Sequence, residues 1–187
     1  RTKDAGLGVE GALDRADRSI TRCDNIITEL LDFTRTTDLA LESVPFDEWL
    51  SSVLDEQTVP KGIAFDNQVS TQGLEIAFDQ DRFRRVIINV FNNGCEAMLE
   101  EAQGGSDKQH QMTVTSKLDD ERLEVRFIDN GPGIAPEILE KIFEPLYSTK
   151  SFGVGLGLPT VRQIMRQHGG DIEMHSSPGQ GTTVLLW

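Results

Sequence analysis

Only two cysteines, Cys23 and Cys95, occur in the 187 residues, too few for a disulfide framework or a cysteine metal site. Both lie in helix-like apolar patterns, so they read as small core residues in a reducing compartment, and a cytoplasmic location is expected. Long hydrophobic runs are also missing: Val86-Ile87-Ile88 is interrupted at Asn89, far short of a membrane span. Arg1 to Glu10 is polar and glycine-containing, with no signal-peptide pattern. The chain does not begin with Met and reads as a fragment, with any membrane anchor assigned to segments absent from it. Positive charge is scarce, 18 Lys and Arg against 31 Asp and Glu. The resulting net charge of −13 argues against general nucleic-acid binding, which needs a basic surface. It also implies that a bound polyphosphate arrives with a divalent cation. The three histidines, His110, His168 and His175, come late and lack spaced partners, so none is expected to be a ligand or nucleophile. There is no Walker-type Gly-Lys-Ser/Thr loop.

What is present fits a soluble globular chain, 37% hydrophobic and 26% charged, long enough for one core and an appendage. Residues Leu13 to Leu41 read as one long helix. Leu13, Ala16, Ile20, Cys23, Ile27, Leu30, Thr34, Thr37 and Leu41 recur at alternating steps of three and four. A lone amphipathic helix lying on its own domain is the plainer alternative. The regularity of the stripe favours a helical bundle, and with it a homodimer. Val44-Pro-Phe-Asp47 breaks this helix and starts another, through about Gln57. Short strands are expected near Ile63–Val69 and Leu74–Ala77, then a helix from Asp79 to Glu101. Alternation in Met112–Leu118 and Leu123–Asp129 around Asp119-Asp-Glu121 predicts a hairpin. A long loop, Gly131 to Gly153, carries one short helix at Pro136–Phe143. A helix from Gly155 to His168 ends at Gly169-Gly170, and strands Asp171–Ser176 and Thr182–Trp187 close the chain. The expected class is α+β: a two-layer sandwich, with a mixed sheet covered on one face by helices and preceded by a bundle-type helix. The expected division is 1–43 and 44–187.

Two glycine-rich stretches stand out, Asp129-Asn-Gly-Pro-Gly-Ile134 and Gly153-Val-Gly-Leu-Gly-Leu158. Glycine allows a backbone to approach a ligand closely, and free N–H groups at a helix start attract an anion, so the pair can close around a nucleotide. Asp129 shares strand parity with Leu123, Val125 and Phe127, which turns its carboxylate toward the helix-covered side. A carboxylate there needs hydrogen-bond donors, and the exocyclic amine of adenine is one. A local turn-capping role is the alternative. On the helix from Asp79, the residues Arg85, Asn89, Asn93, Glu96 and Glu100 form a polar stripe, with Phe83, Ile87, Val90 and Phe91 facing elsewhere. Asn89 and Asn93 present amide oxygens suited to Mg²⁺, unless the stripe is simply a solvated face. Gly94, costly in mid-helix by about 1 kcal/mol, hints at close packing or a nearby ligand. Lys150 reaches a terminal phosphate as a mobile charge, or is a plain surface lysine.

These segments together resemble sensor histidine kinases. Asn89-Val-Phe-Asn-Asn93-Gly-Cys-Glu-Ala97 is similar to that family's N box, and Asp129-Asn-Gly-Pro-Gly133 to its G1 box. Ile142-Phe-Glu-Pro-Leu-Tyr-Ser-Thr-Lys150 is similar to the F box, and Gly153-Val-Gly-Leu-Gly-Leu158 to G2. His168-Gly-Gly-Asp-Ile172 and Ser177-Pro-Gly-Gln-Gly-Thr182 resemble its closing pattern. The resemblance spans about Phe46 to Trp187. Ile20 to Arg35 resembles the second helix of the dimerisation domain. It implies the Bergerat fold of the GHKL ATPases, ATP and Mg²⁺ as ligands, and a response-regulator receiver domain as partner. By position it implies Asn93 as Mg²⁺ ligand, with Asn89 assisting at metal or phosphate. Asp129 would read the adenine amine, Gly131 and Gly133 would permit close approach beside Ile134, and Thr182 would act through water. The Gly131–Gly153 segment would be an ATP lid, with Lys150 on the γ-phosphate. Gly153, Val154, Gly155, Leu156 and Gly157 would line the phosphate end, with Gly155 and Gly157 opening the helix. Asn89 and Lys150 are the residues implied in catalysis.

GHKL hydrolases resemble one another in placing a glutamate base where Asn89 stands. An amide takes no proton from water at neutral pH, so transfer rather than hydrolysis is implied. A protein-serine kinase, or a degenerate nucleotide-binding module that mainly dimerises, are the remaining alternatives. The chain departs from the family pattern at Val154, commonly threonine, and at Gly94, commonly alanine. No histidine precedes His110, and the phosphoacceptor helix is absent from this sequence.

Overall fold

A computed structural model of the chain describes residues 38–119, 122–150 and 153–187, with positions 11, 13, 16, 17, 19, 20, 23, 26, 27 and 30. They divide into two units, Arg1–Thr36 and Thr37–Trp187. Every described position of the first unit is helical. Leu13, Ile20 and Ile27, which follow one another at heptad spacing, are exposed, and so is Leu30. Cys23, expected as a core residue, is exposed as well, because a single helix has no interior to receive it. Thr34 and Thr37 of the expected seam lie outside the described residues.

The second unit runs β1 (Glu42–Pro45), α1 (Phe46–Asp55), β2 (Ile63–Gln68), β3 (Glu75–Phe78), α2 (Gln80–Gln103) and β4 (His110–Asp119). It continues with β5 (Arg122–Asp129), α3 (Pro136–Leu139), α4 (Gly157–Gln167), β6 (Ile172–Ser176) and β7 (Thr182–Leu186). The helix expected to reach Leu41 does not: residues 38–41 are non-helical, and Glu42–Pro45 is a strand. β1 pairs antiparallel with β3, Val44 opposite Ile76, and this long-range ladder satisfies its backbone groups. The first unit therefore ends before residue 43. The helix after Gly131 is shorter than expected, Pro136–Leu139 rather than reaching Phe143.

β2, β4, β5, β7 and β6 form one five-stranded sheet in that order. β2 lies parallel to β4 and the other neighbours are antiparallel, so the sheet is mixed as expected. Strand alternation sets the buried face. Met112 and Val114 of β4, Val125 and Phe127 of β5, and Val184 and Leu186 of β7 join one core with α2 and α4. Val86, Ile87, Val90, Phe91, Cys95 and Met98 line the inner side of α2. A buried side chain of this size contributes about 1.5–3 kcal/mol, so this face outweighs the helix cost of Gly94. The glycine has a local reason. A Cβ there would stand 2.4 Å from the Met112 methyl and 3.6 Å from Asp129 Oδ2, so close packing is what Gly94 permits. At one end of the sheet, Asp129 lies opposite Thr182 on β7 and Met112 on β4, and Thr182 lies opposite Ser176 on β6. That row is the floor of the site.

The start of α2 is tied on several sides. Asp79 Oδ1 accepts the Arg82 N–H at 3.1 Å as an N-cap, and Oδ2 accepts the Ala40 N–H at 3.1 Å. His168, just after α4, donates from Nδ1 to the Ile164 carbonyl at 2.8 Å and accepts the Asp79 N–H at Nε2, 3.1 Å. Burial pushes the Asp79 carboxyl up, but the two backbone donors and Arg82 outweigh it and hold the group below its ordinary 3.8. Its contribution is therefore fully present above the unfolded value and is lost as pH falls through the lowered folded value. Asp79→Ala is expected to destabilise the second unit by about 1–2 kcal/mol at pH 7. In urea melts at successively lower pH the gap between wild type and variant narrows below about pH 4. A gap independent of pH would mean that the carboxylate is not the stabilising group.

Candidate functional site

Asp129 ends β5 on the buried face, as parity predicts. Its Oδ1 accepts two backbone N–H groups, from Gly131 at 2.9 Å and Thr182 at 3.1 Å. The first closes a local turn, so the turn-capping alternative is realised, but by one oxygen only. Oδ2 is turned toward Gly94, 3.6 Å from where a Cβ of that residue would stand. Burial pushes the carboxyl above its ordinary 3.8, against the pull of the Gly131 and Thr182 N–H groups and of Lys108, with Glu101 adding repulsion. Such a group gains from a further donor, and an amino group in the plane of an aromatic ring fits.

The glycines keep the surroundings clear. A Cβ at Gly131 would lie 3.0 Å from Asp129 Oδ1 and 3.2 Å from Met98 Cγ. The turn at 177–181 ties this end of the sheet together. The Ile134 N–H bonds Ser176 Oγ at 2.9 Å, Ser176 Oγ donates to the Gly181 carbonyl at 2.8 Å, and it lies 3.0 Å from Thr182 Oγ1. Ser176 was not singled out from the sequence, although its position before the closing Ser177–Thr182 motif was a usable signal. Lys108 was missed too: its Nζ donates to the Gly131 carbonyl at 3.4 Å, and nothing in a loop lysine announces that reach.

The second part of the candidate site lies on the polar stripe of α2. Asn89 Nδ2 donates to the Arg85 carbonyl at 2.9 Å, which fixes the amide with Oδ1 toward Gly157 at the start of α4. A Cβ on Gly157 would stand 3.3 Å from that Oδ1, so a side chain at Gly157 would crowd the amide. Lys150 reaches the same stripe, its Nζ donating to Asn93 Oδ1 at 3.1 Å and pairing with Glu96 Oε2. Asn89, Asn93, Lys150 and the entrance of α4 therefore converge, though they are far apart in sequence.

The second glycine stretch differs from expectation in two places. α4 begins at Gly157, not Gly155. Gly155 sits in the preceding turn at φ +76°, where a Cβ would lie 2.4 Å from the Tyr147 carbonyl oxygen. Leu156 was expected to line the ligand, but its side chain is buried in the core, so only its backbone can face a ligand. Among the described residues no side chain caps the start of α4. Gly153 packs against Ser148, where a Cβ would meet Oγ at 2.6 Å, and Val154 is half-buried.

Cys95 lies beneath this stripe. Burial, with Glu96 and Asp129 nearby, pushes its thiol up to about 11, so it stays an unreactive core thiol. The histidines sit elsewhere: His110 is buried beside Glu101, and His175 is exposed beside Glu173.

A mixed sheet ending in a half-buried aspartate, with two glycine loops and an amide-bearing helix at that end, defines a two-layer α/β sandwich. Residues 78–187 match the family described as histidine kinase-, DNA gyrase B- and HSP90-like ATPase, and the chain belongs to that family. An ATPase domain of this kind binds ATP. The chain is 31% identical over 170 residues to the sensor histidine kinase ZraS of Escherichia coli (strain K12), covering 89% of this chain and 35% of that protein. It spans roughly a third of the length of the curated relatives it matches. The solved catalytic domain of the histidine kinase ThkA is 28% identical with a TM-score of 0.65, over 78% of this chain and 93% of that one. The structure of ThkA in complex with the response regulator TrrA shares the fold, at 24% identity and a TM-score of 0.73, over 95% of this chain and 50% of that one.

Proposed function

We propose that this chain is the ATP-binding catalytic part of a sensor histidine kinase. The complete protein transfers the γ-phosphoryl of MgATP to a histidine outside this chain and then to an aspartate of a response-regulator receiver domain. The observation that carries the reading is the convergence of Asn89, Asn93 and Lys150 at the entrance of α4, across the pocket from the half-satisfied carboxylate of Asp129. Asp129 Oδ2 holds the adenine amine, and Thr182 supports the ring edge through water. Gly131 and Gly133 let the ring and Ile134 come close. The N–H groups at the start of α4, which no described side chain caps, and the backbone of 153–156 meet the phosphates, and Lys150 takes the γ-phosphate.

The donor set fits Mg²⁺. Asn93 Oδ1 already accepts a cationic group, Asn89 Oδ1 faces the start of α4, and both are hard oxygens. When bound, Mg²⁺ neutralises charge on the triphosphate. The chain's own residues position the tail, so that an imidazole nitrogen attacks the γ-phosphorus and the bond to the β–γ bridging oxygen breaks, with ADP leaving. Asn89 argues against a hydrolase, because a fixed amide has no basic site with which to activate water.

The ThkA–TrrA complex supports the regulator as partner, and the exposed Leu13, Ile20 and Ile27 support a bundle shared by two copies. Among the described residues no helix is long and apolar enough to cross a membrane. On this reading the active region works in the cytoplasm, and any membrane anchor belongs to segments outside this chain. Calorimetric titration tests the function. ATP is expected to bind, with affinity at least tenfold higher in Mg²⁺ than in EDTA, and labelled ATP leaves no acid-labile phosphate on the chain alone. Absence of binding overturns the nucleotide reading. Steady phosphate release favours a hydrolase, and acid-labile label on the chain overturns the external acceptor.

A further inference from the structure

Lys150 Nζ is held by two groups on one face of α2, Asn93 Oδ1 at 3.1 Å and the carboxylate of Glu96 three residues on. Asn93 is also the amide best placed for a divalent cation, and Lys150 the cation best placed for a terminal phosphate. One amide oxygen does not comfortably serve an ammonium and a metal ion at once, because the two cations repel at that distance. We infer that Glu96 is a positioning residue that holds the Lys150 ammonium on Asn93, so that lysine and metal compete for the same oxygen. Glu96 thereby sets how readily Lys150 is released to the phosphates. The inference rests on the proposed MgATP site and assigns a role to a residue that the site reading left as part of a polar face.

The strength of the hold is bounded by exposure. The Glu96 side chain is 54% exposed and that of Lys150 30%, so the pair is a solvent-screened one. It is strong enough to bias a lysine and weak enough to yield to a triphosphate and its metal. A bare charge effect makes a competing account, since Glu96 would also repel the anionic nucleotide directly. The two accounts separate on Lys150: repulsion acts whether or not the lysine is present, whereas the hold needs it.

The test is a double-mutant cycle on Glu96→Gln and Lys150→Met, with ATP affinity measured calorimetrically across a Mg²⁺ series. Glu96→Gln alone is expected to tighten MgATP about threefold and to lower the Mg²⁺ concentration for half-maximal affinity by a similar factor. In the Lys150→Met background the same change is expected to do neither. Equal tightening in both backgrounds assigns the effect to repulsion and overturns the inference, as does unchanged or weaker binding by Glu96→Gln alone. Wild-type protein that binds no ATP at any Mg²⁺ concentration overturns the proposed function itself, and this inference with it. Wild-type binding with a null cycle overturns the inference alone.

Discussion

Asp129→Asn is expected to weaken ATP binding by about 2–3 kcal/mol, roughly 30- to 150-fold, without destabilising the fold. Ordinarily asparagine is the gentle replacement for a carboxylate that accepts hydrogen bonds. Here it should be as damaging as alanine, because the two oxygens of Asp129 are not equivalent. Oδ1 is committed to the N–H groups of Gly131 and Thr182. An asparagine satisfies that pair only with its carbonyl oxygen, which puts the NH₂ where Oδ2 stood, donor against donor with the adenine amine. Stability behaves differently. The half-buried carboxyl is raised by desolvation against its N–H donors and Lys108, so the folded state binds a proton more tightly than the unfolded chain. Its ionised form costs stability at neutral pH, and that cost fades as pH falls through the raised value. Removing the charge while keeping the Oδ1 contacts therefore leaves the melting free energy equal or slightly higher.

The same sign argument fixes the pH dependence of binding. On the proposed reading the adenine amine needs the ionised acceptor, so wild-type affinity is expected to fall as pH drops through the Asp129 value, while the residual affinity of the asparagine variant is expected not to follow it. The ratio of the two affinities cancels the titration of ATP itself. Titrations of both proteins between pH 7 and pH 4.5, with chemical melts alongside, check both halves. Wild-type affinity in the variant removes Asp129 from the site; joint loss of binding and stability makes its role structural.

Much of this was legible in the sequence because the governing rules are local. Parity along Leu123, Val125 and Phe127 carried Asp129 to the buried face, and helical spacing put Asn89, Asn93 and Glu96 on one stripe of α2. Where readings failed, the deciding contact was remote. β1 exists because Glu42–Pro45 finds β3 some thirty residues later, and a four-residue stretch with a terminal proline carries no strand signal of its own. The start of α4 moved because Gly155 is held by the loop ahead of it, the Leu146 N–H bonding the Gly155 carbonyl at 3.0 Å. Leu156 stands in the same glycine motif, and its apolar side chain is buried, so what it can offer a ligand is its backbone. The pairing of Lys150 with Glu96 joins two segments that no periodicity connects.

Gly133→Ala should cost far more than its one methyl group suggests, about 3 kcal/mol or more of stability, and with it ATP binding. Gly133 sits at φ +70°, where an L-residue carries about 1 kcal/mol of strain before any contact is counted. A Cβ there would lie 2.0 Å from the Ser177 carbonyl oxygen and 3.3 Å from that of Gly181. These are backbone atoms of a turn that is itself fastened to this loop, the Gly179 N–H donating to the Pro132 carbonyl at 2.6 Å. Neither side can yield alone. Relief requires the loop after β5 to pull away from the turn before β7, which breaks the Ile134 bond to Ser176 and shifts Gly131 from Asp129. Two other glycines separate strain from overlap. Gly73 has φ +82° and nothing within 4 Å of an added Cβ, so Gly73→Ala is expected to cost only about 1 kcal/mol and leave ATP binding intact. Gly94→Ala meets the end of a flexible methionine at 2.4 Å and gains about 1 kcal/mol of helix propensity, so its net effect is expected near zero. Urea melts of the three variants, each followed by ATP titration, should rank Gly133→Ala well apart from the other two. If Gly133→Ala behaves like Gly73→Ala, the loop and turn are not locked together, and the proposed site around Asp129 does not owe its shape to their contact.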